Sequence, residues 1–184
     1  MTKLRRADVL LVVIDVQEKL MPVISGHEQV TRNIVRLVRG CRILDVPAIL
    51  TEQYVKGLGP TVAPIRRAFE ESGGYRPIEK MCFSTCGCGE FEAELRSVRK
   101  KQILVAGIEA HVCVYQSVID LMSTGHEVTI VADATSSREA RNRSIALERM
   151  VAEGAKLSST EMALFELTVA SGTDEFRAIS KLIK

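Results

Sequence analysis

The chain predicts a three-layer, doubly wound α/β domain built on a mostly parallel sheet of about six strands. Three observations carry that expectation. Short apolar runs, rich in β-branched residues and free of polar alternation, take turns with segments of helical spacing. Trp is absent and aromatics make up only 4% of a chain that is 46% hydrophobic, so the core must be built from Val, Ile, Leu, Ala and Met, as buried parallel strands covered by helices require. The length of 184 residues suits a single domain over residues 1–184, with no internal repeat, low-complexity tract or linker to divide it.

The elements follow in order. Residues 9–14 form the first apolar run, and Val30, Ile34, Leu37, Val38, Cys41 and Leu44 then recur on one helical face that ends where Val46-Pro47 opens a second strand over 47–50. Gly and Pro make residues 54–59 with Pro60, and residues 71–77, loops. Helices are expected over 62–72, 90–100, 112–124 with Gly125 as stop, 139–153 with Gly154 as stop, and 174–183. Strong strands are expected over 102–106 and 127–132, weaker ones near 76–80 and 155–157. Two capping-box patterns, Ser136 with Glu139 and Ser158 with Glu161, mark helix starts. Right-handed crossovers between such strands make the sheet parallel.

Composition excludes several functions. Lys and Arg total 25 against 23 Asp and Glu, spread along the chain, so nothing is built to bind a polyanion and no nucleic acid is expected as partner. No apolar run approaches the roughly 18 to 20 residues of a bilayer span, so no membrane partner is expected. Lys3, Arg5 and Arg6 before residues 9–14 imitate a signal peptide, but Asp15 ends that short run without a small-residue cleavage site. Five cysteines, at 41, 82, 86, 88 and 113, make a disulfide framework a poor expectation and a cytoplasmic location the natural one.

Ligands of doubly wound sheets bind beyond the carboxyl ends of the strands. No strand is followed by G-x-G-x-x-G or G-x-x-x-x-G-K-[ST], which disfavours nucleotide chemistry. His27, His111 and His126 are scattered, and Cys82, Cys86 and Cys88 in a C-x3-C-x-C arrangement lack a fourth ligand, so packing is preferred to zinc there and no metal is expected. Asp15, Lys80 and Cys113 remain, each just beyond or at the end of an expected strand. Singly, Asp15 can cap a helix starting near Glu18, Lys80 can be a solvated charge and Cys113 can fill core space. Jointly they make a nucleophile with a base and a cation. A helix start and a nearby ammonium would favour the thiolate, and a partly desolvated carboxylate could take the thiol proton and return it to a leaving nitrogen. Asp133 and Gln17 are secondary candidates, better explained as satisfying local backbone groups.

The segments Leu11-Val12-Val13-Ile14-Asp15-Val16-Gln17, Glu79-Lys80 and residues 105–114 (VAGIEAHVCV) resemble the three signatures of the isochorismatase-like cysteine hydrolases. Residues 51–54 (TEQY), 56–59 (KGLG) and 131–138 (VADATSSR) resemble the isochorismatase-domain-containing branch. The resemblance covers nearly the whole chain. It implies a Rossmann-like sheet, a nucleophilic Cys113, a general-base Asp15 and a supporting Lys80. It also implies a non-proline cis peptide before Glu109, with the N–H groups of Glu109 and Cys113 forming an oxyanion hole. Gln17, Tyr54, Phe83 and His111 are candidate pocket residues. Nicotinamidases of this superfamily hold a metal through Asp-x-His and a further His after the second strand, where this chain reads Thr51-Glu52-Gln53-Tyr54, so no cofactor is implied. Ala110 stands where relatives commonly carry Thr. The expected function is hydrolysis of an amide-like C–N bond in a small molecule by a homo-oligomer. The alternatives are a silent binding or scaffold protein, an isochorismatase-type vinyl-ether hydrolase, and thiol redox chemistry at Cys82, Cys86 and Cys88.

Overall fold

The computed structural model describes residues 3–184. Along the chain come β1 (Val9–Ile14), α1 (His27–Ile43), β2 (Ala48–Gln53), the single turn α2 (Val55–Leu58), α3 (Ala63–Glu71), β3 (Ile78–Lys80), α4 (Gly89–Val98) and β4 (Gln102–Gly107). Then follow α5 (Tyr115–Ser123), β5 (Glu127–Thr135), α6 (Ala140–Ala152), β6 (Lys156–Ser158), α7 (Thr160–Thr168) and α8 (Asp174–Ile183). Short 3-10 turns lie at Met21–Val23 and Thr85–Gly87, and a π-helical turn, Ala110–Val114, leads into α5.

The six strands pair in parallel in the order β3-β2-β1-β4-β5-β6. Every residue of β1 is buried, because both faces of the sheet are covered. Side chains alternate across a strand, so Val9, Leu11 and Val13 join one core with α1, α3, α7 and α8. Leu10, Val12 and Ile14 join the other, with α4, α5 and α6. The chain reverses its direction of travel between β1 and β4, which opens a crevice at their carboxyl ends. Gly107 stands at that crevice with φ +128°, and a Cβ there would lie 2.2 Å from the Ile14 carbonyl oxygen. Only glycine lets the two strands close there.

Several boundaries depart from expectation. β2 continues past Leu50 to Gln53 and β5 past Ala132 to Thr135, because pairing with neighbours, such as Gly107 with Thr135, holds polar residues in strand conformation. The loop at 54–59 contains α2. Ser136 caps nothing: its hydroxyl donates to the Ser25 carbonyl, and α6 starts at Ala140. The α7 cap is Ser159, which accepts from the Met162 N–H, rather than Ser158. The helix expected over 112–124 divides into the π-turn and α5. No helix among the described residues is long and apolar enough to cross a membrane.

Candidate functional site

The carboxyl ends of β1 to β4 lie side by side, and the candidate residues converge there. Strands sit about 4.8 Å apart, so β3 and β1 are separated by roughly 10 Å, with β2 between them. Lys80, at the end of β3, spans that gap with its long side chain and donates to Asp15 Oδ2 at 2.7 Å. Neither side chain is exposed by more than 1%. Asp15 leaves β1 in the left-handed region at φ 54°, and its other oxygen, Oδ1, accepts from Thr51 Oγ1 at 2.8 Å. It caps no helix; a buried ion pair occupies the carboxylate instead. Lys80 is no solvated surface charge, since its ammonium also donates to Gln53 Oε1 at 2.7 Å, Phe83 O at 2.9 Å and Cys82 O at 3.1 Å.

Cys113 joins this pair from β4, as the fourth residue of the π-turn. Burial pushes its thiol up to about 12, the Asp15 carboxylate adds to the rise, and the Lys80 ammonium opposes it. The expected activation by a helix start is therefore corrected. Cys113 does not open a regular helix, and desolvation outweighs the ammonium, so the resting group is the thiol. The Cys113 carbonyl accepts from Ser117 Oγ at 2.6 Å, and Ser117 Oγ accepts from Thr85 N–H, tying the π-turn to the 81–88 segment.

Before this turn the Ile108–Glu109 peptide is cis. Ile108 N–H donates to Ile14 O and Ala110 N–H to Ser136 O, whereas Glu109 N–H has no acceptor among the described residues. The Glu109 carboxylate accepts from the Arg138 N–H at 2.9 Å and guanidinium at 3.2 Å. Such an amide is available to an incoming oxygen. Ala110 is buried and supplies no hydroxyl there.

The pocket candidates divide. Gln17 leaves the pocket set and fits the backbone role preferred for it: its buried carboxamide donates to Gln53 O and Gly59 O and accepts from Gln53 N–H, clamping two backbones. Tyr54 and Phe83 are exposed and flank Lys80, since Tyr54 N–H donates to Lys80 O and Phe83 O accepts from the ammonium. His111 is half-buried with Nδ1 3.0 Å from Ser137 Oγ. Asp133 Oδ1 accepts from Thr160 N–H and Oγ1 at the start of α7, a local structural role. Cys86 and Cys88 lie against the second core, and among the described residues no group of three or more His, Cys, Asp or Glu can hold a metal ion.

Sequence reasoning missed Thr51 and Gln53. They stand two apart on β2, hence on one face, directly under the path of Lys80. Their signal was the polar run Thr51-Glu52-Gln53 directly after the apolar residues of the strand, which places the first and third on one face.

A doubly wound parallel sheet with a buried acid, cation and thiol at its topological switch point defines an α/β protein whose candidate site lies where such sheets bind ligands. The chain belongs to the isochorismatase family, a family of hydrolases: the isochorismatase domain matches residues 9–162. It is 39% identical over 177 residues to the secreted isochorismatase effector Isc1 of Phytophthora sojae, covering 95% of this chain and 84% of that protein. Isochorismatase domain-containing protein 2 of Danio rerio is 39% identical over 175 residues, covering 95% and 86%. Among solved structures, the MAR1 ribonuclease of Caenorhabditis elegans superposes with a TM-score of 0.90 at 35% identity, over 99% of this chain and 92% of that one.

Proposed function

We propose that the protein hydrolyses an amide-like C–N bond in a small molecule through an acyl-enzyme on Cys113. The observation that carries this reading is the buried Lys80–Asp15 pair, 2.7 Å apart, acting on a buried thiol. Because the thiol is protonated at rest, attack on the substrate carbonyl is coupled to transfer of its proton to Asp15. Lys80 holds Asp15 in place and offsets the thiolate charge as the C–S bond forms. The carbonyl oxygen, now anionic, accepts from the N–H groups of Glu109 and Cys113. Asp15 returns the proton to the leaving nitrogen as the C–N bond breaks and amine departs. Water, deprotonated by Asp15, then attacks the thioester, releases the acid and restores the Cys113 thiol. Tyr54, Phe83 and His111 form the rim on which substrate rests.

Amides, carbamates and ureides are the candidate substrates. Intact-mass screening of such a panel should show the acyl increment on Cys113, and Cys113→Ala should show none. A panel that leaves Cys113 unmodified while the protein remains folded would favour the scaffold reading, which Ala110 supports by withholding a hydroxyl beside the proposed hole. An RNA arm addresses the name of the nematode relative; the dispersed charge of this chain predicts no cleavage.

A further inference from the structure

The Lys80 ammonium has three N–H bonds and four oxygen acceptors, at 2.7, 2.7, 2.9 and 3.1 Å. Two acceptors, Cys82 O and Phe83 O, are main-chain carbonyls that follow Lys80 in sequence. One is its charge partner, Asp15. The fourth is the side chain of Gln53, and its orientation is determined by its own bonds. Gln53 Nε2 donates to Met81 O at 2.7 Å, which turns Oε1 toward the ammonium. The backbone of Gln53 is gripped on both sides, its N–H donating to Gln17 Oε1 at 2.8 Å and its carbonyl accepting from Gln17 Nε2 at 2.9 Å. Gln17 extends the same grip to Gly59 O, so residue 53 joins the 54–61 loop, the 81–83 loop and the ammonium.

The amide suits this place because it is neutral. A carboxylate would accept from Lys80 equally well but would set two anions against one cation in a buried cluster. An apolar side chain would leave the ammonium free to lean toward the carbonyls of Cys82 and Phe83. We propose, on the strength of the hydrolase reading above, that Gln53 is the positioning residue of this site. It is an uncharged acceptor that aims Lys80 at Asp15 while tying both rim loops to the ammonium.

The test uses the full chain and needs no substrate. Cys113 alkylation by iodoacetamide at pH 8.5 is followed by peptide mass spectrometry, with Cys41 as internal reference, and exchange of the Lys80 ammonium hydrogens is followed by 15N NMR. Gln53→Glu should slow Cys113 labelling about tenfold, the change that one unit of thiol pKa makes to the thiolate fraction. Gln53→Met adds no charge but lets the ammonium lean away from Asp15 and Cys113, so labelling should slow less than in Gln53→Glu while Lys80 exchange quickens several-fold. Native labelling in folded Gln53→Glu, or unchanged exchange in Gln53→Met, overturns the proposal. If Gln53→Glu does not fold, the Met variant decides. Should native Cys113 label no faster than Cys41, the hydrolase reading fails by itself, and the Lys80 exchange still reports on Gln53.

Discussion

Cys41 and Cys113 occupy opposite faces of one sheet, and burial pushes both thiols up to about 12. Their surroundings separate them. Cys41, wholly buried in α1, meets only apolar neighbours' desolvation, and burial alone accounts for its shift. Cys113 keeps 7% of its surface open and carries an anion and a cation that push its proton affinity in opposite directions. A high proton affinity is therefore no sign of an inert thiol. On the proposed reading, what sets Cys113 apart from Cys41 is the neighbouring Asp15 carboxylate, a base able to accept its proton.

The largest effect that can break this comparison is removal of each sulfur in turn. Cys113→Ala should abolish acyl-adduct formation and lower turnover on any identified substrate by about 10³-fold or more, whereas Cys41→Ala should leave turnover intact. Equal losses would mean that the two thiols differ only in packing. Next in size is Lys80→Met, which strands a buried carboxylate and should cost about 3 to 5 kcal/mol in urea unfolding. A cost below about 1 kcal/mol would show that water reaches Asp15 and solvates its carboxylate.

Asp15→Asn sharpens the contrast through opposite signs. The carboxylate raises the Cys113 thiol, so removing its charge should speed Cys113 alkylation at pH 8.5 about tenfold while turnover falls, and Cys41 should not respond. Slower labelling would reverse the assigned role of Asp15. The smallest effect concerns alkaline stability. Both thiols hold protons more tightly folded than unfolded, so their contribution is complete below about pH 9 and declines as pH rises toward about 12. Cys41→Ala should flatten that decline by about 1 kcal/mol per pH unit between pH 9 and 10, measured by urea midpoints. An unchanged slope would place the alkaline loss elsewhere.

The convergence of the candidate residues was legible before the fold. Asp15, Lys80 and Cys113 each follow or close an apolar strand, and parallel connection puts such positions on one edge. Gln17 stood both as a pocket candidate and as a residue satisfying local backbone groups, and its bonds to Gln53 and Gly59 fit the second reading. Thr51 and Gln53 were passed over since the apolar pattern of β2 ends at Leu50, and only pairing with β1 and β3 carries the strand on to Gln53. The misplaced Ser136 cap has a similar cause. Its hydroxyl finds the Ser25 carbonyl, 111 residues away, a competitor that local spacing cannot register.

By itself the sequence determined the parallel α/β class, because continuous β-branched runs have no stable place except inside a covered sheet, and it singled out the acid, cation and thiol by chemical type. The tertiary structure alone decided their states. Whether Lys80 meets solvent or four oxygens, and whether Cys113 rests as thiol or thiolate, depends on desolvation and on charges brought close by strands distant in sequence. Those energies follow distance and burial, and neither is encoded in the spacing of residues along the chain.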